Sequence, residues 1–498
     1  MSPFTASAMI RDPWNEPAEA GRKTKTRSIF WRSIMNASRK LNFISLCALA
    51  LLLVPGCSSE QKTAAKSPSG GAPASTAAAK PAEAPKPDAR RNPEESEALV
   101  LLRGLPTLGT ANSVAIVELN PDAPNFGAIL QDFELPQLAL PLHHLYYSPN
   151  GRLYATCLDP KHSLAEIGLS RSASGAAVIT GVTFLDTGGQ QVGEDIVWHT
   201  VNGKDYMFVT FMGGTGVDQS DCGSIGVFDP QSNALIKIIQ ARKSQVAKDA
   251  PYIMYPHGMS AYQDRLVVSS TVHPDLTSGV GNAITVIDLN TLEPIQNITV
   301  QDAKPVGFPS SPVEVLFVRP SIVPGVAPAV LVNTMFGFET WKIPYNESDK
   351  SFGTPVKLYD GAKAGTGVPL EFYGNQSELF VSHGLPGIVK RYKLSGLPDL
   401  VSSGPDLKTG AGAHHMIFFT GPSGRKLIAV QNNLLNLGNA ADKDPTDVPF
   451  MAKLNANTVT VQDLQSGELL AMVNFKERYK KGVENIEALF GSGFVHHH

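Results

Sequence analysis

Pro141-Leu142-His143-His144-Leu145-Tyr146-Tyr147-Ser148-Pro149-Asn150-Gly151-Arg152-Leu153-Tyr154-Ala155-Thr156 reads as a short strand, a turn and a returning strand. Asn-Gly tolerates the positive φ angles of a tight hairpin, and the Leu, Tyr and Thr on either side favour extended backbone. Variants of the unit recur along the chain: Asp195 to Thr210, His257 to Ser270, Glu314 to Thr334, Glu371 to Ser382 and His415 to Gln431. Each opens on a histidine or an acid.

A second kind of strand alternates with these hairpins and often ends in an acid and a turn. Examples are Ile225-Gly-Val-Phe-Asp229, Ile284-Thr-Val-Ile-Asp288 and Val459-Thr-Val-Gln-Asp463, with weaker copies at 164–168, 339–343 and 389–393. The copies are spaced roughly 50 to 70 residues apart, somewhat above common propeller repeats. The last hairpin is incomplete, because Glu484 to Leu489 supplies an inner strand and nothing follows to finish its sheet. Strands lacking a partner lie at the other end: 98–103, 113–120 and 126–135. Helix periodicity is nearly absent. The expected fold is therefore all-β, a seven-bladed β-propeller whose N- and C-terminal strands share one blade. An eight-bladed ring with one degenerate blade is the alternative.

Among 498 residues there are 44 Gly and 37 Pro, only 17% are charged, and the net charge is −3. That composition suits many short strands and turns and gives no basic footprint for nucleic acid. Residues 1–57 read as an extension and an export signal. Arg39-Lys40 precedes the apolar run Phe43 to Val54, too short for a membrane span, and Pro55-Gly56-Cys57 follows. The pattern resembles a bacterial lipoprotein signal with Cys57 as the lipidated residue; an ordinary cleaved signal is the other reading. Met35 would start a signal of ordinary length. Residues 58–95, rich in Ala, Pro, Ser and Lys, read as a disordered tether. The propeller is expected over 96–495, with the histidine tail 496–498 set aside. The expected place is the cell envelope, the outer membrane facing the periplasm, held by the lipid. Of four cysteines only Cys157 and Cys222 fall in the propeller; they could pair, and no Cys-x-x-Cys motif occurs.

In a propeller the first strand of each blade lines the central channel, so equivalent positions form a ring at one mouth. Those positions read His144, Glu194 or Asp195, His257, Glu314, Glu371, His415 and Glu484, with no Lys or Arg. Carboxylates so close repel one another unless a cation, a proton or water compensates. Histidines beside them are ligands for Cu, Zn or Fe. His199, four residues past Asp195, is expected one layer deeper by the period of two, whereas His143 should point away from His144 unless the chain there is not yet a regular strand. A solvated polar ring would give the same residues, and an organic cofactor is a third reading. His162, His273 and His383 fall near strand ends or loops and point to no site singly. Gly213 to Gly216 lacks the following helix of a phosphate cradle.

Ala115-Ile-Val-Glu-Leu-Asn-Pro-Asp-Ala-Pro124, then Phe133-Glu-Leu-Pro136 and Leu142-His143-His144, resembles the opening of the selenium-binding protein family, which includes methanethiol oxidases. Val197-Trp-His199-Thr and Ser311-Pro-Val-Glu314-Val-Leu-Phe-Val resemble its later inner strands, collinear across most of 98–495. The resemblance implies a seven-bladed propeller with a His-rich copper centre and, in some members, oxidation of methanethiol. On that basis the chain is expected to be a divergent, lipid-anchored relative acting on a small-molecule substrate. Copper would be held among His143, His144, His199, His257 and His415. Glu314 would act as catalytic proton acceptor or as a partner behind the ligands, with Asp195, Glu371 and Glu484 also behind them. The rival expectation is a non-catalytic envelope propeller that binds a protein or polymer.

Overall fold

Glu97–Gly104 is almost wholly apolar, the pattern of a strand buried on both faces. Its alternate residues serve two different cores: Ala98, Val100 and Leu102 pack on one side, Leu99 and Leu101 on the other. This two-sided burial repeats around the molecule. The structure is a computed structural model describing residues 96–490 except 106–107, 214–221, 241–250, 275–278, 303–308, 376, 422 and 435–454. The export signal, Cys57, the tether, most of the Gly213 to Gly216 loop and the histidine tail lie outside the described residues.

The strands form seven sheets, each with its strands in chain order apart from the closing one. Inner strands of blades 1 to 6 are Leu142–Tyr147, Gly193–Val201, Pro256–Tyr262, Pro312–Val318, Pro369–Gly374 and Ala413–Thr420. Blade 7 takes its inner strand, Lys481–Ala488, from the C-terminus and its other three, Glu97–Gly104, Ser113–Glu118 and Ile129–Glu134, from the N-terminus. The seven-bladed reading holds, closure included. Seven hydrophobic clusters straddle the seven junctions between neighbouring blades. Outer strands are half wet, as the alternating exposure of Ile129–Glu134 shows. Among the described residues helices are confined to short turns such as Phe475–Tyr479, capped by Asn474, whose side chain accepts from Glu477 N–H. Among the described residues no helix is long and apolar enough to cross a membrane.

The opening hairpin forms as its Asn-Gly suggests, with Gly151 at φ 83° and Ser148 N–H donating to Arg152 O at 2.8 Å. Entry into several inner strands is sharper. Val192, Tyr255, Ser311 and Lys480, each one residue before an inner strand, sit at φ of 51–58°, and Gly412 does so at 88°. A left-handed Val is costly, so the surrounding packing must impose it. Cys157 and Cys222 are both buried and form no disulfide; burial pushes the Cys157 thiol far above its ordinary value, so it behaves as a core residue.

Candidate metal centre at the propeller axis

The inner strands share one irregularity. In each of blades 1 to 6 the pairing with the second strand shifts after the strand's first residue, leaving two residues opposite one. The bulged pairs are His143-His144, Glu194-Asp195, His257-Gly258, Val313-Glu314, Leu370-Glu371 and His414-His415. In blade 7 the shift leaves out Glu484 alone. A bulge suspends the alternation of side chains. His143 therefore does not turn away from His144: their rings stack with centroids 4.0 Å apart, and those of His414 and His415 do the same. His414 was missed in the sequence; the His-His doublet was the available signal.

The two doublets meet at the axis, with the His144 and His415 rings 4.7 Å apart edge to face. Each is held alike. The outer imidazoles face carboxylates, His143 Nε2 lying 3.1 Å from Glu194 Oε2 and His414 Nε2 lying 3.2 Å from Glu371 Oε1. The inner ones face phenols, His144 Nδ1 at 3.0 Å from the Tyr146 hydroxyl and His415 Nδ1 at 2.9 Å from that of Tyr373. His144 Nδ1 also lies 3.1 Å from the Glu194 carbonyl, whereas its Nε2 is buried without a hydrogen-bond partner. We assign the proton to Nδ1, because the other tautomer would bury an unmatched N–H. Burial, then His143 and His415, hold His144 well below the usual histidine range, so it is neutral with a lone pair on Nε2. Burial, then nearby carboxylates, push Tyr146 and Tyr373 well above the ordinary phenol value.

Donor atoms of His144, Glu371, His414 and His415 lie within 4.8 Å of one another, as do those of His143, His144 and Glu194, and all these residues are buried. The first set, with three imidazoles and one carboxylate, fits a transition metal better than calcium or magnesium. His257 belongs to the ring but is already engaged: Nδ1 lies 2.9 Å from Glu314 Oε1 and Nε2 lies 3.4 Å from Glu194 Oε2. Burial opposes a charge there, yet Glu194 and then Glu314 push His257 up to about 10. For Glu194 burial is outweighed by His143 and His257, and its carboxyl lies low. Burial and Glu371 push Glu314 well up. At neutral pH His257 is therefore the charged imidazolium, with one ring nitrogen facing each carboxylate. Gly258 makes room for this arrangement, since a Cβ there would lie 2.4 Å from Glu314 Oε2.

Of the remaining ring residues, Asp195 accepts Ile196 and Met259 N–H groups at 2.6 Å and so ties blade 2 to blade 3. Glu484 is fully buried, neither carboxylate oxygen has a hydrogen-bond partner, and burial raises it to about 7 against the pull of Arg103 and His143. The structure does not bring His199 to the centre. Beyond the bulge, inner-strand side chains alternate between the two neighbouring blades: Ile196 packs towards blade 1 and Val197 towards blade 3. His199 follows Val197, and its Nε2 meets Gln263 O of blade 3 at 2.6 Å.

His383 is also apart from the centre, buried on the second strand of blade 5. Burial, then Lys390, push it down to about 3. The unfolded chain therefore takes up a proton near pH 6.5 that the folded one refuses, and stability is lost as pH falls from 6.5 towards 3. Between pH 7 and 5 the wild type should lose about 2 kcal/mol more than His383→Gln in urea titrations; equal losses would refute this.

No family model matches the chain, and no curated protein sequence matches it. Among solved structures it is similar to a hypothetical selenium-binding protein of Sulfolobus tokodaii, with a TM-score of 0.52 and 16% identity over 80% of this chain and 94% of that one. A functionally unknown protein of Desulfotomaculum acetoxidans matches with a TM-score of 0.47 and 11% identity, over 80% of this chain and 98% of the other. A putative 6-phosphogluconolactonase of Bacteroides uniformis gives 0.43 and 13%, over 80% and 100%. The first likeness is one of fold: the chain is a seven-bladed β-propeller, distantly similar to one of the selenium-binding kind.

Proposed function

We propose that the axis of the propeller holds a copper ion through His144, His414, His415 and Glu371, in an exported, lipid-anchored oxidoreductase acting on a small sulfur compound. The observation that carries the reading is His144 Nε2, a buried lone pair with no hydrogen-bond partner on a residue grouped with three other buried donors. A buried polar atom left unmatched is costly, and a metal ion removes the cost. Copper, when bound, supplies one-electron redox chemistry. The chain's own part is to fix the rings through the Tyr146 and Tyr373 hydroxyls, to keep bulk water out by burial, and to hold a proton between His257 Nδ1 and Glu314 Oε1. The likeness to a selenium-binding propeller is compatible with this reading.

A second reading, a non-catalytic envelope propeller binding a protein or polymer, is favoured by one observation. His143, His257 and His414 already have carboxylate partners without any metal. Metal content separates the two. The chain lacking His496 to His498 should purify with one equivalent of metal by mass spectrometry, or take up copper and melt higher. Neither metal nor a copper-dependent shift would leave the scaffold reading.

The anchor follows from Arg39-Lys40, the apolar run to Val54, Cys57 and the tether behind it. One acyl chain binds membranes weakly and two or more hold firmly. Cys57→Ser should move the protein from the membrane fraction to the soluble one; equal partition of both forms would end the anchor.

A further inference from the structure

Second strands of the blades are largely buried on both faces, and in blades 1 to 6 each sets one polar residue opposite the inner-strand bulge: Thr156, Thr210, Ser269, Asn333, Ser382 and Gln431. All six are completely buried. Thr156 Oγ1 accepts from His144 N–H at 3.2 Å and donates to the Glu194 carbonyl of the next blade at 2.9 Å. Thr210 repeats the arrangement, accepting from Asp195 N–H at 2.9 Å and donating to His257 O at 2.8 Å. Ser269 donates onward to Val313 O at 2.7 Å and Asn333 to Leu370 O, while Ser382 accepts from Glu371 N–H at 3.2 Å. Gln431 Oε1 accepts from His415 N–H at 3.2 Å, and its Nε2 donates to Val483 O of the closing blade at 3.1 Å.

We propose that Thr156 and Gln431 are positioning residues of the histidine centre: each ties the bulge of its own blade to the next blade's inner strand and thereby makes two successive histidines face the axis. The inference rests on the metal reading above for its affinity test and on geometry alone for its structural one. Regular antiparallel pairing would send residues 143 and 144, or 414 and 415, to opposite faces of the sheet. The bulge prevents this, and it leaves the N–H of the second bulged residue facing away from its ladder partner. A side-chain oxygen on the second strand meets that N–H. Its donor end then sets the distance to the neighbouring blade, whose carbonyl at Glu194 also lies beside His144 Nδ1. Gln431 is the longest of the six at the junction with blade 7, where the bulge is a single residue.

The test uses the full chain without His496 to His498 and copper(II) as the probe, with a chelator as competitor. Thr156→Val keeps the shape and removes the hydroxyl; Gln431→Met does the same for the amide. Each should weaken copper about 10- to 100-fold, the usual effect of losing a group behind a ligand, and should change the number of nitrogens coupled to copper in the paramagnetic resonance spectrum. Thr156→Ser should retain wild-type affinity. Ile284→Val, a core change in blade 3, controls for general loosening and should leave affinity unchanged. Wild-type affinity in Thr156→Val, or a tenfold loss in Thr156→Ser, overturns the proposal. If the wild type binds no copper, the metal reading fails on its own, and the crystal structure of Thr156→Val, or of Gln431→Met should the first not fold, still decides this inference. Rings that stay stacked at 4.0 Å would overturn it, and rings driven to opposite faces would support it.

Discussion

A chain ending at Lys481 is expected to lose its cooperative unfolding transition, although it lacks only seventeen of 498 residues. The deletion removes nearly all of the inner strand Lys481–Ala488, which pairs with Glu97–Gly104 from Ala98 to Gly104. Val483, Ile486 and Leu489 are at most 1% exposed, and they feed both the junction with blade 6 and that with blade 1. At about 1.5–3 kcal/mol for each such side chain, their burial alone approaches the whole stability of an ordinary domain. The loss also bares an edge of Glu97–Gly104 and opens the ring. A chain ending at Phe490 keeps every contact named here and serves as the control. Urea and thermal unfolding of both should show one sharp transition for the control and a broad or absent one for the truncated form. Matching transitions would show that the termini do not share a blade in solution.

This closure was legible because it is a matter of counting. Half-blades recur at a steady spacing, the last lacks its outer strands, and three unpaired strands wait near Ala98. Burial on both faces makes each strand a dense apolar run, which survives without any knowledge of the neighbours. The ring of inner-strand residues was legible for the same reason, since a repeat aligns equivalent positions.

What could not be read was the direction of individual side chains, because the period of two fails where the backbone bulges. Counting by twos assigned His199 to the channel from Asp195 and turned His143 out of it from His144, and the bulges in those two strands reverse both. The hairpins bounded in the sequence end at Thr156, Thr210, Ser382 and Gln431, the residues that meet the bulges in the structure. A polar residue set in an apolar second strand was thus a sign of the irregularity opposite it. So was Pro at the first position of the inner strands at 256, 312 and 369, where a strand tolerates it. His414 was hidden by the assumption that only one residue per blade reaches the axis. The pairing of His257 with two carboxylates depends on blades that lie apart in sequence and had no local signal.

Replacing His144 by alanine should abolish stoichiometric copper binding, because it removes an imidazole of the donor group whose Nε2 is buried without a hydrogen-bond partner. At a metal concentration a hundredfold above the dissociation constant, binding stabilises the native state by about 2.7 kcal/mol. Spread over a propeller of this size that is roughly 3–4 °C in melting temperature. A hundredfold weaker site at the same concentration retains only about 0.4 kcal/mol, so the copper-dependent shift should all but vanish. His415→Ala should behave alike, since His415 shares the donor group from the opposite doublet. Tyr146→Phe leaves the His144 ring in place but removes the hydroxyl at its Nδ1, and copper should bind more weakly without being lost. His199→Ala should leave metal content and the copper-dependent shift as they are in the wild type, because that ring meets Gln263 of blade 3 and not the axis. Metal content by mass spectrometry and melting with and without added copper measure all four. Full metal retained in both His144→Ala and His415→Ala would place the ion elsewhere. Loss in His199→Ala equal to that in His144→Ala would mean that the metal is not bound where the two doublets meet.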